Sequence, residues 1–214
     1  LKIIGENAFR GLTQLGEINI PNSVEILGED AFYNTLITSD TSSYWENNGL
    51  YLGQFLVAVK DVKITTFEVK EGTKYIADGK LFSSKNARYV TEIILPDSLE
   101  YIGKNNFEST NIQSIILPSN LKTIAYKAFY NCSNLITVDT SNCISLNKLC
   151  YSAFAGCNIT EINIPETVEF MDEFIFNHNK NIVINCGVSA KPDGWHNDWS
   201  KNYSGIVTVN WKVI

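Results

Sequence analysis

A six-residue motif ending in phenylalanine recurs along this 214-residue chain and constrains its fold more than any other feature. Ile4-Gly5-Glu6-Asn7-Ala8-Phe9 has close copies ending at Phe32, Phe129 and Phe154, and weaker copies ending at Phe82, Phe107 and Phe176. Successive copies are 22 to 25 residues apart, except for one step of 50 after Phe32. Such a period is typical of a solenoid, in which each coil buries its apolar face only by stacking on its neighbours.

Short apolar segments keep the same period and several of them end in proline. Proline has no backbone donor for the next sheet hydrogen bond, so each segment predicts a short strand that is followed by a turn. The residue four positions before the repeated phenylalanine is small in most copies, as a tight corner requires. The proline-terminated segments are Ile18–Pro21, Ile93–Pro96, Ile115–Pro118 and Ile162–Pro165.

The pattern predicts a β-rich α/β repeat solenoid with coils of about 23 residues, in which short strands alternate with short helical or 3-10 turns. The repeated phenylalanines are expected to stack in one internal column, here called the phenylalanine ladder. Apolar residues eight and five positions before each of them, such as Leu121 and Ile124, are expected to point inward. The whole of 1–214 is interpreted as one repeat domain.

Two segments depart from the period. Residues 40–66 are interpreted as a β-hairpin insertion that grows out of the solenoid, because Gly49–Val59 resembles two strands joined by a Gly53-Gln54 turn. Residues 182–214 are rich in tryptophan and are interpreted as a cap over the open C-terminal end. The chain begins in the second half of a repeat, so we expect its natural N-terminal cap to be missing.

Charge and composition exclude several classes of function. The chain has 17 basic and 23 acidic residues, a net charge of -6 and no run of like charges, which argues against nucleic acid and anionic membrane as partners. No apolar stretch is long enough to span a bilayer. The 5 cysteines contain no CxxC pair, so we expect neither a zinc site nor any other cofactor.

The repeats resemble the BspA-like class of leucine-rich repeats. Asn22-Ser23-Val24, Glu166-Thr167-Val168 and Tyr130-Asn131-Cys132 carry the resemblance, which extends over essentially the whole chain. It implies a right-handed solenoid, secretion or display on a bacterial cell surface, and a role in adhesion, and it supplies no catalytic residues. Departures occur at Asn106 and Ile175, which replace alanine, and at 140–142, which replaces the proline turn.

Catalytic chemistry is not expected from this sequence. His178 and His196 are the only histidines, and neither is paired with a cysteine at ligand or catalytic spacing. Cys132 and Cys157 each follow a ladder phenylalanine by three residues and should therefore lie in adjacent coils. We interpret them as stacked buried thiols, and a disulfide between them remains the alternative.

Partner binding is predicted on the outward face of the proline-terminated strands. Ile94 and Ile116 form an apolar spot among polar neighbours there, which is typical of a protein contact, although strand propensity or cover by the hairpin would also explain them. The residues proposed for this site are Glu92, Ile94, Ser114, Ile116, Asp139 and Asn163.

The sequence therefore predicts a monomeric, non-catalytic module that binds a protein or a surface glycan. The alternative is a spacer that holds other domains away from the cell surface. A further alternative is carbohydrate binding by cap aromatics, although packing of the cap explains the same residues. These are Trp195, Trp199, Tyr203 and Trp211.

Overall fold

A computed structural model describes residues 1–60, 62–82 and 89–212, so residue 61 of the insertion and residues 213–214 of the cap lie outside the described residues. The chain forms about 9 turns of a β-solenoid, with equivalent residues about 23 positions apart. The strands are β1 Ile3–Ile4, β2 Ile26–Leu27, β3 Trp45–Glu46, β4 Gly49–Leu52, β5 Phe55–Val59, β6 Thr66–Glu68, β7 Tyr75–Ile76, β8 Glu92–Ile94, β9 Tyr101–Ile102, β10 Ser114–Ile116, β11 Thr123–Ile124, β12 Thr137–Asp139, β13 Lys148–Leu149, β14 Glu161–Ile164, β15 Phe170–Met171, β16 Ile182–Cys186 and β17 Val207–Trp211.

Two series of strands face opposite sides of the core. One is an 8-stranded sheet in the order β15-β13-β11-β9-β7-β5-β4-β3. The other is made of the smaller sheets β6-β8, β10-β12 and β14-β16-β17, while β1 and β2 form a separate parallel pair. Strands in successive coils pair in parallel, with one residue directly opposite its repeat equivalent, as Ile124 is opposite Leu149.

The phenylalanine ladder is present but divided. Rings stack from Phe82 to Phe176 with centroid separations of 4.8 to 6.0 Å, and Phe9 stacks on Phe32 at 5.2 Å. Phe32 belongs to one buried cluster and Phe82 to another. The single continuous column expected from the sequence is therefore wrong at the hairpin. The predicted inward residues, including Leu121 and Ile124, are fully buried.

Hydrogen-bonded turns replace the predicted helical or 3-10 turns, and the described residues contain no α-helix. In each well-formed coil the residues two before and two after the ladder phenylalanine have positive φ, as at Asn105, Ser109, Lys127 and Asn131. A left-handed residue every four positions prevents helical hydrogen bonding from continuing. The backbone bonds to the next coil instead, and Phe107 N–H donates to Ala128 O at 2.8 Å.

The insertion is a hairpin, but it lies within the solenoid and does not project from it. β4 and β5 pair antiparallel around Gly53, whose φ is +57°. β5 then pairs in parallel with β7, placing Phe55 opposite Tyr75. The hairpin strand therefore occupies the place of a coil in the larger sheet, which explains why the ladder is divided there.

The cap also continues the solenoid where the sequence period stops. β16 pairs in parallel with β17 over five residues, and Trp195 pairs with Met171 of the preceding coil. Trp195 and Trp199 are buried, and the Trp195 indole N–H donates to Val168 O at 3.0 Å. These two tryptophans therefore cover the end of the core.

Two of the three sequence departures have a clear local reason. The Asn106 amide donates to Ala77 O of the preceding coil at 2.7 Å, a bond that alanine could not make. At the 140–142 turn, Thr140 Oγ1 donates to Asn163 O at 2.8 Å and links two coils where the others have proline.

Candidate functional site

The predicted site residues lie in two parallel columns on the outer face of the smaller sheets. Glu92 and Ser114 are in one column, and Ile94, Ile116, Asp139 and Asn163 are in the other. Alternation along β8 and β10 buries Ile93 and Ile115 and leaves their neighbours exposed. Ile94 is 45% exposed and Ile116 is 62% exposed.

Four of the six predicted residues line one shallow groove, here called the acidic groove. Glu92, Ile94, Ser114 and Ile116 lie in it. Its carboxylates are Glu68, Glu71, Glu92 and Asp97, and no lysine or arginine is among its lining residues. Within the described part of the chain none of these four carboxylates forms an ion pair. The groove is an apolar spot surrounded by unneutralised negative charge.

Asp139 and Asn163 lie in the same column as the isoleucines but make structural contacts. Asp139 accepts the Ser141 N–H at 2.9 Å, and this hydrogen bond lowers the pKa of the Asp139 carboxyl. The Asn163 side chain accepts from Asn185, whose own oxygen accepts from Asn210. These bonds form an asparagine ladder that holds the last strands in register.

A second groove lies on the outer face of the larger sheet and was missed by the sequence reasoning. This tyrosine groove is lined by Tyr75 and Tyr101, which are opposite each other on β7 and β9, and by Tyr126 and Tyr151, whose rings stack on each other; its volume is about 580 Å³. Its lining residues come from several coils, between Glu25 and Asp172, and are therefore far apart in sequence. The signal that could have revealed it is the recurrence of tyrosine near the repeat period at 75, 101, 126 and 151.

Burial and electrostatic contacts in the tyrosine groove move the pKa values of Tyr101, Glu100 and Lys122. Burial, followed by the Asp78 carboxylate, raises the pKa of Tyr101, whose hydroxyl donates to Asp78 at 2.9 Å. Burial alone would raise the pKa of Glu100, but the hydrogen bond and charge of Lys122 lower it. The Glu100 bond in turn raises the pKa of Lys122. General acid or base catalysis needs shifts in the opposite direction.

The buried cysteines serve the backbone. Cys132 Sγ donates to Phe107 O at 2.8 Å, and Cys157 Sγ donates to Phe129 O at 3.2 Å. Thr110 at the same repeat position donates to Phe107 O at 2.9 Å, so this position supplies a donor to a ladder carbonyl. All five cysteines are free thiols, which supports stacked thiols over the disulfide alternative.

The histidines take part in surface contacts. His178 Nδ1 lies 2.8 Å from Ser204 Oγ, and His196 Nε2 lies 3.4 Å from a Glu173 carboxylate oxygen. Among the described residues no group of three or more histidine, cysteine or acidic side chains could hold a metal ion. The described residues contain no helix that is long and apolar enough to cross a membrane.

The cap aromatics divide between core and surface. Trp195 is 1% exposed and Trp199 is 3% exposed, so the predicted sugar-binding surface is wrong for these two rings. Tyr203 is exposed and stands at the end of an outer aromatic row with Phe174 and Tyr151.

Comparisons with known proteins identify the repeats and the fold. Residues 1–48 and 57–183 match the family described as BspA type leucine rich repeat region, in six copies. A solved leucine-rich repeat protein from Bacteroides ovatus ATCC 8483 is similar, with a TM-score of 0.53 and 20% identity. The similarity covers 100% of this chain and 61% of that protein, so the chain spans about three fifths of its length. No curated protein matches the chain.

Proposed function

Because the chain belongs to the BspA-type leucine-rich repeat family, we propose that it is a non-catalytic module that binds a protein at the bacterial cell surface or after secretion. The filled interior supports a role carried by outer surfaces, because the inside of the described coils is packed with phenylalanine and aliphatic side chains. Ladder residues Phe107, Phe129 and Phe154 are at most 1% exposed.

The acidic groove is the observation that carries this proposal. Exposed apolar side chains surrounded by polar groups often mark protein contacts. Ile94 and Ile116 are adjacent on neighbouring coils, and the surrounding carboxylates have no ion-pair partners within the described residues. The partner that fits is a protein segment with lysine or arginine around one or two apolar side chains, since complementary charge speeds encounter and fixes the orientation of the complex.

The test compares two double variants of equal chemistry. Ile94→Asp with Ile116→Asp changes the groove, and Ile136→Asp with Ile144→Asp changes two other exposed isoleucines, which are 52% and 72% exposed. Extracellular proteins captured by the wild type are identified first. Biolayer interferometry at low and high salt then measures the affinity of each captured protein for the wild type and for the two double variants.

The groove variant should weaken binding more than tenfold while the control variant leaves it unchanged, and high salt should also weaken it. A partner that binds all three proteins equally would show that the groove is not the site. If the wild type captures no partner, the spacer function becomes the better explanation.

A further inference from the structure

One row of side chains in and beside the acidic groove runs along the solenoid axis. Glu68 lies opposite Ile94 in the parallel pair β6-β8, and Ile116 lies opposite Asp139 in the parallel pair β10-β12. A backbone hydrogen bond of 3.3 Å joins the residues that directly precede β8 and β10 and keeps these two strands in register. The four side chains therefore follow one another on four successive coils, and this row is here called the outer column.

The outer column is apolar in its middle and acidic at both ends. Ile94 is 45% exposed and Ile116 is 62% exposed. Glu68 is exposed and Asp139 is half-buried, and neither forms an ion pair within the described part of the chain. Complementary charge therefore favours a partner that carries an apolar pair between two basic residues.

The spacing of the outer column favours a helix as that partner. Neighbouring coils repeat at roughly 4.8 Å, so the four side chains lie at about 0, 4.8, 9.6 and 14.4 Å along the axis. Residues on one face of an extended segment are about 6.8 Å apart, so they are displaced by about 6 Å at the fourth coil. Residues i, i+3, i+7 and i+10 of an α-helix form one stripe at about 0, 4.5, 10.5 and 15 Å, within about 1 Å of every side chain.

The outer column presents side chains to a partner and not backbone groups. Ile94 O accepts the Val69 N–H at 3.0 Å, and Asp139 O accepts the Leu117 N–H at 2.9 Å. A strand that docks by extending a sheet gains its affinity from main-chain hydrogen bonds, which this face does not supply. A helix satisfies its own backbone and needs only side-chain contacts.

We propose that the acidic groove binds an amphipathic α-helix of the partner protein, which lies along the solenoid axis. Its stripe carries a basic residue at i, apolar residues at i+3 and i+7, and a second basic residue at i+10. The basic residues pair with Glu68 and Asp139, and the apolar pair covers Ile94 and Ile116. This inference rests on the proposed function, because it assigns the partner of the same groove.

Three dye-labelled synthetic peptides of about 16 residues test the proposal, a length at which a helix is marginal in water. The matched peptide has lysine, leucine, leucine and lysine at i, i+3, i+7 and i+10 of an alanine- and glutamine-rich sequence. The second has the same composition with both leucines on the opposite face, and the third has a central proline, which breaks the helix. Fluorescence anisotropy measures each Kd. Circular dichroism detects induced helix, since the described residues contain no α-helix.

Two charge-neutralising variants are compared with the wild type. Glu68→Gln plus Asp139→Asn removes both end charges and keeps a side-chain acceptor for the Ser141 N–H, which Asp139 binds at 2.9 Å. Glu17→Gln plus Asp193→Asn is the control, because it removes two exposed carboxylates outside the groove and changes the net charge equally. Thermal unfolding shows that each variant is folded.

The matched peptide should bind the wild type and the control variant and should gain helix on binding. It should bind Glu68→Gln plus Asp139→Asn roughly tenfold more weakly, and the other two peptides should bind the wild type roughly tenfold more weakly. Absence of binding by the matched peptide, equal binding of all three peptides, or binding without a gain of helix would overturn the proposal. Tighter binding of the proline peptide would also overturn it and would identify an extended segment as the occupant.

Captured extracellular proteins separate failure of this inference from failure of the proposed function. If the matched peptide fails while captured proteins still bind Ile94→Asp plus Ile116→Asp more weakly than the wild type, the groove binds protein and only the helix is wrong. If captured proteins bind that variant as tightly as the wild type, the proposed function fails and the helix proposal fails with it.

Discussion

Replacing Phe129 by alanine tests whether the phenylalanine ladder holds the solenoid together. Phe129 is fully buried and stacks on Phe107 at 4.9 Å and on Phe154 at 5.1 Å. Burial of the side chain contributes about 1.5 to 3 kcal/mol, and each aromatic pair adds about 0.5 to 1.5 kcal/mol. We therefore expect Phe129→Ala to lower the free energy of unfolding by about 3 to 5 kcal/mol, the usual range for a buried phenylalanine.

Phe9→Ala is the matched control, because Phe9 is half-buried and stacks on one ring only, that of Phe32. Urea unfolding followed by circular dichroism measures both variants, and hydrogen exchange shows which coils open. Phe129→Ala should expose the coils around it and should cost well over the roughly 1 kcal/mol that is typical of an average substitution. Equal losses for the two variants would refute the view that stability resides in the stacked rings.

Three further outcomes follow from local contacts. Cys157→Val should destabilise by about 0.5 to 1.5 kcal/mol, because the Phe129 carbonyl loses one of its two donors and keeps the Cys132 N–H, and Cys157→Ser should cost less. Equal losses in urea unfolding would show that the thiol is only a filler. Gly103→Ala should cost roughly 1 to 3 kcal/mol, since its Cβ would lie 2.5 Å from a backbone oxygen, while Gly5→Ala, which has open space, should be neutral by the same measurement. Burial raises the pKa of Cys143 and of Cys186 to about 11, so iodoacetamide should alkylate them slowly at about pH 8 and faster as the pH rises. Mass spectrometry measures the labelling, and rapid labelling of the folded protein at about pH 8 would contradict this expectation.

The sequence predicted the parts of the fold that depend on the period. Leu121, Ile124 and the ladder residues from Phe82 to Phe176 lie inside as expected, because spacing alone determines which residues repeat at one position of the coil. The right-handed winding stays a prediction. The helical turns were wrong because the deciding signal was a left-handed backbone, marked by Asn7, Asp30 and Asn131, and not by apolar spacing.

The sites were harder to predict than the fold. Ile94 and Ile116 were found because they break an alternation within single strands. The tyrosine groove is assembled from several coils and from two positions in the repeat, so no single local pattern encodes it. The hairpin was recognised from its turn, but its pairing with β7 depends on a partner 20 residues away, Tyr75 opposite Phe55.

The division of the core at the hairpin affects how a disturbance spreads through the array. In a stacked protein each coil is stabilised by its two neighbours, so loss of one coil weakens the next. Phe32 and Phe82 belong to different buried clusters, which are bridged by the hairpin strands and by a backbone bond from Asp78 N–H to Leu27 O at 2.8 Å. Fraying that begins at the N-terminal coils therefore meets a boundary at β5, beyond which Phe82 to Phe176 retain their own packing. Both grooves draw most of their lining from coils beyond that boundary, so their shape survives opening of the first coils.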